Sequence, residues 1–195
     1  MLKELVRKTR SYRRFEETYR IDMDTLNDLI ALARLAASGR NLQPLKYILS
    51  VDPVLNEAIF PHLSWAHYLK DWPGPATGQR PAAYIVILHD KEISEDPRID
   101  PGIACQNILL GAVEKGLGGC ILGNINREAL RKLLNVLPRY DVLYIVALGK
   151  PAEEVVIDDL CPGGSIEYYR DENDVHHVPK RTLDEIIIEM YSEQT

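Results

Sequence analysis

A chain of 195 residues, 46% hydrophobic and 27% charged, is long enough to bury a core and too ordinary in composition for a disordered or fibrous protein. A net charge of −6 excludes a surface built to attract a long polyanion. Three widely spaced cysteines, Cys105, Cys120 and Cys161, make neither a disulfide framework nor a CxxC metal pair, which points to a reducing, cytoplasmic compartment. The longest apolar runs, 82–88 and 142–148, fall far short of the roughly 20 residues a membrane span needs. No apolar stretch follows the basic N-terminus, as it would in a signal peptide. Neither a membrane nor a nucleic acid is expected as a partner.

Leu2, Leu5 and Val6 suggest a short first helix, and 12–20 reads as loop. Leu26, Leu29, Ile30, Ala33 and Ala37 recur at helical spacing, with Asp22 or Asp24 as the cap and Gly39 as the stop. A strand follows at 45–51. Asp52-Pro53 opens another helix as N-cap and first-turn proline, and Pro61 interrupts what comes after. Residues 71–81 form a long loop, and 82–88 is a buried strand by its unbroken apolar run. Asp100-Pro101 caps a helix that is apolar around most of its circumference, which a subunit interface would help to bury; Gly116 ends it. A short apolar segment at 119–122 stops at Gly123. Asn126 caps a helix carrying Leu130, Leu133 and Leu134, and 142–148 is a second buried strand. Residues 151–180 look mostly irregular, with an edge strand at 167–170. Thr182 and Glu185 form a capping box for a last helix with Ile186, Ile187 and Met190. One mixed α/β domain over 1–195 is expected.

Most catalytic signatures are missing. There is no GxSxG, and His62 and His67 are five apart, so they do not share a helix face. His176 and His177 are adjacent and point apart. Cys105 falls among apolar helix residues and Cys120 beside glycines, both read as structural. The glycines 116, 118, 119 and 123 do not fit GxGxxG, and they follow a helix instead of a strand. Gly123 is either a plain turn residue or a point where a backbone N–H approaches a flat ligand with no Cβ in the way. Residues 1–20 carry a net charge of +4, a basic island that is either a solvated face or a small-anion site. Within it, Arg10, Ser11 and Arg13 can wrap a phosphate with charge-assisted bonds, and Lys180-Arg181 offers cations from the other end of the chain. The amides of Asn41 and Gln43 share one side of an extended backbone and either cap the loop or read the edge of a heterocycle.

In order along the chain stand Arg10-Ser11-x-Arg13-x-Phe15, then Ala37-Ser38-Gly39-x-Asn41-x-Gln43-Pro44, then Asp100-x-Gly102 with Gln106-Asn107. Gly116-x-Gly118-Gly119 with Gly123, Gly149-Lys150-Pro151 with Glu153, and Pro179-Lys180-Arg181 complete the series. Each motif is weak alone. Six in succession, from about residue 7 to 188, resemble the nitroreductase family of FMN-dependent oxidoreductases. The resemblance implies an α/β (α+β) fold: a mixed-sheet sandwich flanked by helices, in an intertwined homodimer with FMN at the subunit interface. It implies that Arg10, Ser11 and Arg13 hold the FMN phosphate and ribityl chain, completed by Arg181 and Lys180. Ser38 and Gly39 would come from the partner subunit, Asn41 and Gln43 would lie along the flavin, and Leu122 and Gly123 would turn backbone N–H groups toward N5 and O4.

Ala37-Ser38 replaces the family's frequent Pro-Ser, and Thr9 stands where many members have a further basic residue. The segment 65–72, rich in aromatics, departs from the better-known branches and reads either as a flavin cover or as a surface lid. The implied chemistry is a ping-pong relay of hydride from NADH or NADPH, through flavin N5, to a nitroaromatic, quinone or similar small oxidant. It requires no side-chain acid or base, although Tyr68 and His67 lie in the segment from which a proton donor would come. Three other readings remain: a non-enzymatic flavin-binding or sensor module, a reductive dehalogenase-like flavoenzyme of the same superfamily, and a small-anion-binding protein without flavin.

Overall fold

A computed structural model describes residues 1–192. Helix α1 (Leu2–Lys8) leads to α2 (Met23–Arg34), whose N-cap Asp22 accepts the Thr25 N–H at 2.7 Å. A 3-10 turn at Gly39–Asn41 precedes β1 (Leu45–Ser50). Asp52 caps α3 (Pro53–Ile59), with Pro53 in the first turn, where its missing N–H costs nothing. β2 (Ala83–Asp90) and α4 (Asp100–Glu114) follow, then β3 (Gly118–Leu122), α5 (Arg127–Leu133) and β4 (Tyr140–Gly149). The chain continues through β5 (Val155–Asp159), β6 (Tyr169–Arg170), β7 (His176–Lys180) and α6 (Leu183–Ile186).

The principal sheet has the order β1-β2-β4-β3 and is antiparallel throughout. All eight residues of β2 are buried, because helices cover both faces. The two-residue period of the strand divides them: Ile85 and Ile87 pack with Leu26, Leu29 and Ile108 from α2 and α4. Tyr84, Val86 and Leu88 face the other way, toward Ile59, Trp65 and Leu130. α4 ends in a Schellman motif. Gly116 takes φ +73°, its N–H reaches Val113 O at 3.0 Å, and Leu117 N–H reaches Ala112 O at 2.8 Å.

Four expectations need correction. Asp100 is not the N-cap of α4. Ile99 holds that position, and the Asp100 carboxylate turns back to the Ser38–Gly39 corner. α2 stops at Arg34, short of Ala37, and Gly39 opens the 3-10 turn. Within 151–180 the edge strand expected at 167–170 shrinks to β6, and two further strands appear: β5 pairs parallel and β6 antiparallel with β7 in a second, mixed sheet. The last helix is only four residues, so Ile187 and Met190 lie outside it. Thr182 makes no side-chain capping bond, and Glu185 pairs with Arg181. The apolar side chains there are exposed, and a helix so short without a packing surface gains too little to propagate.

Candidate functional site

The N-terminal segment reaches the site by running along the free edge of β3. Tyr12 N–H donates to Gly119 O at 3.0 Å, and Ser11 bridges Gly119 in parallel register. Gly118 permits this approach, since a Cβ there would fall 2.5 Å from the Tyr12 ring. Phe15, fully buried, anchors the far end of the segment. Between these anchors Arg13 turns inward and is only 9% exposed.

Arg13 lines a cavity of about 360 Å³. One wall is the end of β3 with Cys120, Leu122 and Gly123. The other is the segment from Ser64 to Trp72, with Trp65, His67, Leu69 and Lys70. Two nearly buried residues here, Arg13 and Trp65, have N–H donors (Nε and Nε1) without a partner. Both nitrogens are covered by protein, and Trp65 Nε1 lies on the Gly74 side, so neither opens into the cavity. Burial raises the Cys120 thiol, which keeps it protonated and unreactive.

The 64–72 wall is held from behind by the second sheet and its flanks. Tyr168 Oη accepts the Tyr68 N–H at 3.4 Å, and their rings meet edge-on at 5.0 Å. The guanidinium carbons of Arg170 and Arg14 lie 4.5 and 5.8 Å from the Trp72 ring. Glu153, with its side chain almost fully buried, accepts the backbone N–H groups of Arg13 and Arg14 and pairs with Arg170 at 2.8 Å. His176 is fully buried against Arg13, whereas His177 turns the other way to Asp158 at 2.8 Å. The opposite orientations are those expected of neighbouring strand residues.

The remaining residues singled out from the sequence lie elsewhere. Arg10 is half-buried: it donates to Val6 O at 3.0 Å and has an unpartnered Nε, and its pKa is lowered by burial. Ser38 donates to Asp100 at 2.6 Å, and Gly39 N–H donates to the same carboxylate at 3.0 Å. Asn41 and Gln43 are not on extended backbone. Their φ values are +57° and +53°, and the Gln43 amide donates to Asn41 O at 3.1 Å. This group leads into β1, the opposite edge of the principal sheet from β3. Three strand spacings separate the two edges, roughly 14 Å. Within one chain, therefore, Ser38–Gln43 and Leu122–Gly123 do not meet. Nor do Lys180 and Arg181 reach Arg13. Lys180 is four residues along β7 from His176, roughly 13 Å, and Arg181 pairs with Glu185. The sequence reading gave Tyr168 and Arg170 no site role and saw His176 only as a histidine that cannot share a ligand with His177; the one trace was the density of aromatic and basic residues between 168 and 181.

The profile of the Nitroreductase family matches residues 6–150. The chain belongs to the nitroreductase family. An Archaeoglobus fulgidus protein named as an NADH dehydrogenase/NAD(P)H nitroreductase is 29% identical over 153 residues, covering 74% of this chain and 82% of that protein. The structure of an FMN-dependent nitroreductase from Clostridium difficile superposes with a TM-score of 0.63 at 26% identity, covering 77% of this chain and 87% of that one. A nitroreductase family protein from Clostridium novyi gives the same TM-score and identity, covering 77% and 86%. The family match ends at residue 150, so the second sheet, with Tyr168, Arg170 and His176, lies beyond it. Among the described residues no helix is long and apolar enough to cross a membrane.

Proposed function

We propose that this chain is an FMN-dependent oxidoreductase that carries hydride from NADH or NADPH to a small oxidant such as a nitroaromatic or quinone, acting as a homodimer in the cytoplasm. The observation that carries this reading is the cavity between β3 and the 64–72 wall. There the family motif residues Arg13, Leu122 and Gly123 line one space. A flavin ring, with carbonyl oxygens and ring nitrogens along one edge, offers acceptors to a guanidinium and to backbone N–H groups.

When bound, FMN supplies the hydride chemistry in two alternating half-reactions, and the protein's part is to bind, orient and tune. Gly123 leaves its backbone N–H open to a flat ring. A Cβ at that position would stand 3.2 Å from the Tyr144 ring, so the glycine also fits the packing against β4. Arg10 and Ser11, on the segment along β3 that leads to Arg13, suit the phosphate and ribityl chain. Trp65 and the rest of the 64–72 wall exclude water from the ring. Ser38, Gly39, Asn41 and Gln43 serve the flavin of a second copy, which their position on the opposite sheet edge favours. Exposed Leu32 on α2 and Leu35 just after it, and Ile186, Ile188, Met190 and Tyr191 near the C-terminus, give that second copy apolar surface to cover. Three unpaired cysteines are consistent with a reducing compartment.

Titration of the apoprotein with FMN, followed by quenching of flavin fluorescence, tests the reading. Arg10→Ala should weaken binding tenfold or more, and Cys120→Ala by less than threefold. Equal affinities in the two variants would contradict the phosphate assignment.

A further inference from the structure

Arg13 is surrounded by groups that orient it without cancelling its charge. Its Nη1 lies 3.1 Å from His176 Nε2 and donates to Ser11 O at 3.2 Å. Its Cζ stands 4.7 Å from the centre of the Tyr168 ring. A guanidinium has donors only, so His176 Nε2 must accept, and the ring proton sits on Nδ1. His176 is therefore neutral. Burial, reinforced by the charges of Arg13, Arg170, His177 and Arg14, pushes its pKa down to about 4, which keeps it neutral at working pH.

The neighbouring carboxylates go to other partners. Glu153 binds Arg170 and two backbone N–H groups, and Asp174 binds Arg14 and lies 3.8 Å from Arg170. Among the described residues, no carboxylate comes within salt-bridge distance of the Arg13 guanidinium. A buried cation without an anion is expensive to maintain. An aromatic face and an imidazole lone pair lower that cost while preserving the charge. Both contacts come from beyond the family match, Tyr168 from just before β6 and His176 from β7.

We infer that Tyr168 and His176 are positioning residues that hold Arg13 as an uncompensated positive charge against the cavity, so that the site favours the reduced, more electron-rich form of its flavin. The inference rests on the proposed seating of FMN in that cavity. A fixed cation near a ring that gains electrons stabilises the reduced form more than the oxidised one. If either contact is lost, the long arginine side chain turns toward solvent and this preference falls.

The midpoint potential of bound FMN, measured by dye-equilibrated anaerobic titration of the full chain, reads this directly. Tyr168→Leu and His176→Leu should lower the ratio of reduced to oxidised flavin affinity at least tenfold, about 30 mV more negative for a two-electron couple. Tyr168→Phe and His176→Gln, which keep the aromatic face and the acceptor, should stay within threefold of the parent. Arg13→Gln should reproduce the shift, and adding His176→Leu to it should change nothing further. Unmoved potentials in folded leucine variants that bind FMN would overturn the inference and leave the flavin reading intact. A parent protein that takes up no FMN would overturn both. A second readout needs no variant: ¹⁵N shifts of His176 in the parent should report a neutral ring protonated on Nδ1, and a ring protonated on Nε2 would overturn the inference.

Discussion

Replacing Asp100 with alanine should destabilise the protein by about 3 kcal/mol and loosen the corner that carries Ser38 to Gln43. Asp100 is 5% exposed, and its carboxylate accepts the Ser38 hydroxyl at 2.6 Å and the Gly39 N–H at 3.0 Å. Ser38 Oγ in turn accepts the Gln43 N–H at 2.8 Å. Together these bonds hold a stretch in which Arg40, Asn41 and Gln43 all have left-handed φ, between +53° and +57°. Such conformations persist only where their surroundings enforce them. A hydrogen bond to a charged group contributes about 1.5–3 kcal/mol. A carboxylate in the first turn of a helix adds about 0.3–1 kcal/mol. Ser38 is half-exposed, which places the total near the lower end of these ranges. Asp100→Asn keeps one acceptor and should lose about 1 kcal/mol. Urea unfolding with coincident fluorescence and circular dichroism signals measures both variants. A loss below 1 kcal/mol for Asp100→Ala would refute the claim that this carboxylate organises the corner.

Acid should destabilise the fold through His176. Its pKa falls from about 6.5 in an unfolded chain to about 4 in the structure. Between those values the unfolded chain binds more protons, so stability declines as pH drops from 6.5 toward 4, by about 3 kcal/mol in total. His176→Gln should flatten the urea-midpoint profile in that window, and an unchanged slope would contradict the buried neutral imidazole. His177 acts in the opposite sense. Asp158, and more weakly Asp171, raise its pKa, so its contribution is present below pH 6.5 and fades as pH rises through the raised value. A thiol reagent should label Cys161 rapidly in the native protein and leave Cys105 and Cys120 untouched, because both are buried and burial pushes the Cys105 thiol up to about 12. Rapid labelling of a second thiol would show that the core opens around one of them.

What could be read from the sequence was local or periodic. The unbroken apolar run of β2, the caps at Asp22, Asp52 and Asn126, and the glycine after α4 each act within a few residues, and each formed as expected. The failures share a cause in long-range competition. Asp100 has the residue type and position of a cap, but the Ser38–Gly39 corner, 61 residues away, claims its carboxylate. Thr182 and Glu185 have capping-box spacing, yet the helix they would start finds no core to pack against. The parallel pairing of β5 with β7 joins segments about 20 residues apart, and neither has an alternating pattern strong enough to announce it. Arg13 was legible as a site residue through its motif. Its partner His176 lies 163 residues away, and nothing local marks which of the two adjacent histidines turns inward.

The central claim is that the cavity beside β3 holds a redox-active flavin. Its most direct test is the visible spectrum of the purified, FMN-reconstituted protein during anaerobic addition of NADH and then NADPH. We expect a flavin spectrum that bleaches with at least one donor and returns when a quinone or nitroaromatic is added. A flavin spectrum that neither donor bleaches would favour a binding or sensor role. A protein that stays colourless in excess FMN would contradict the account at its root.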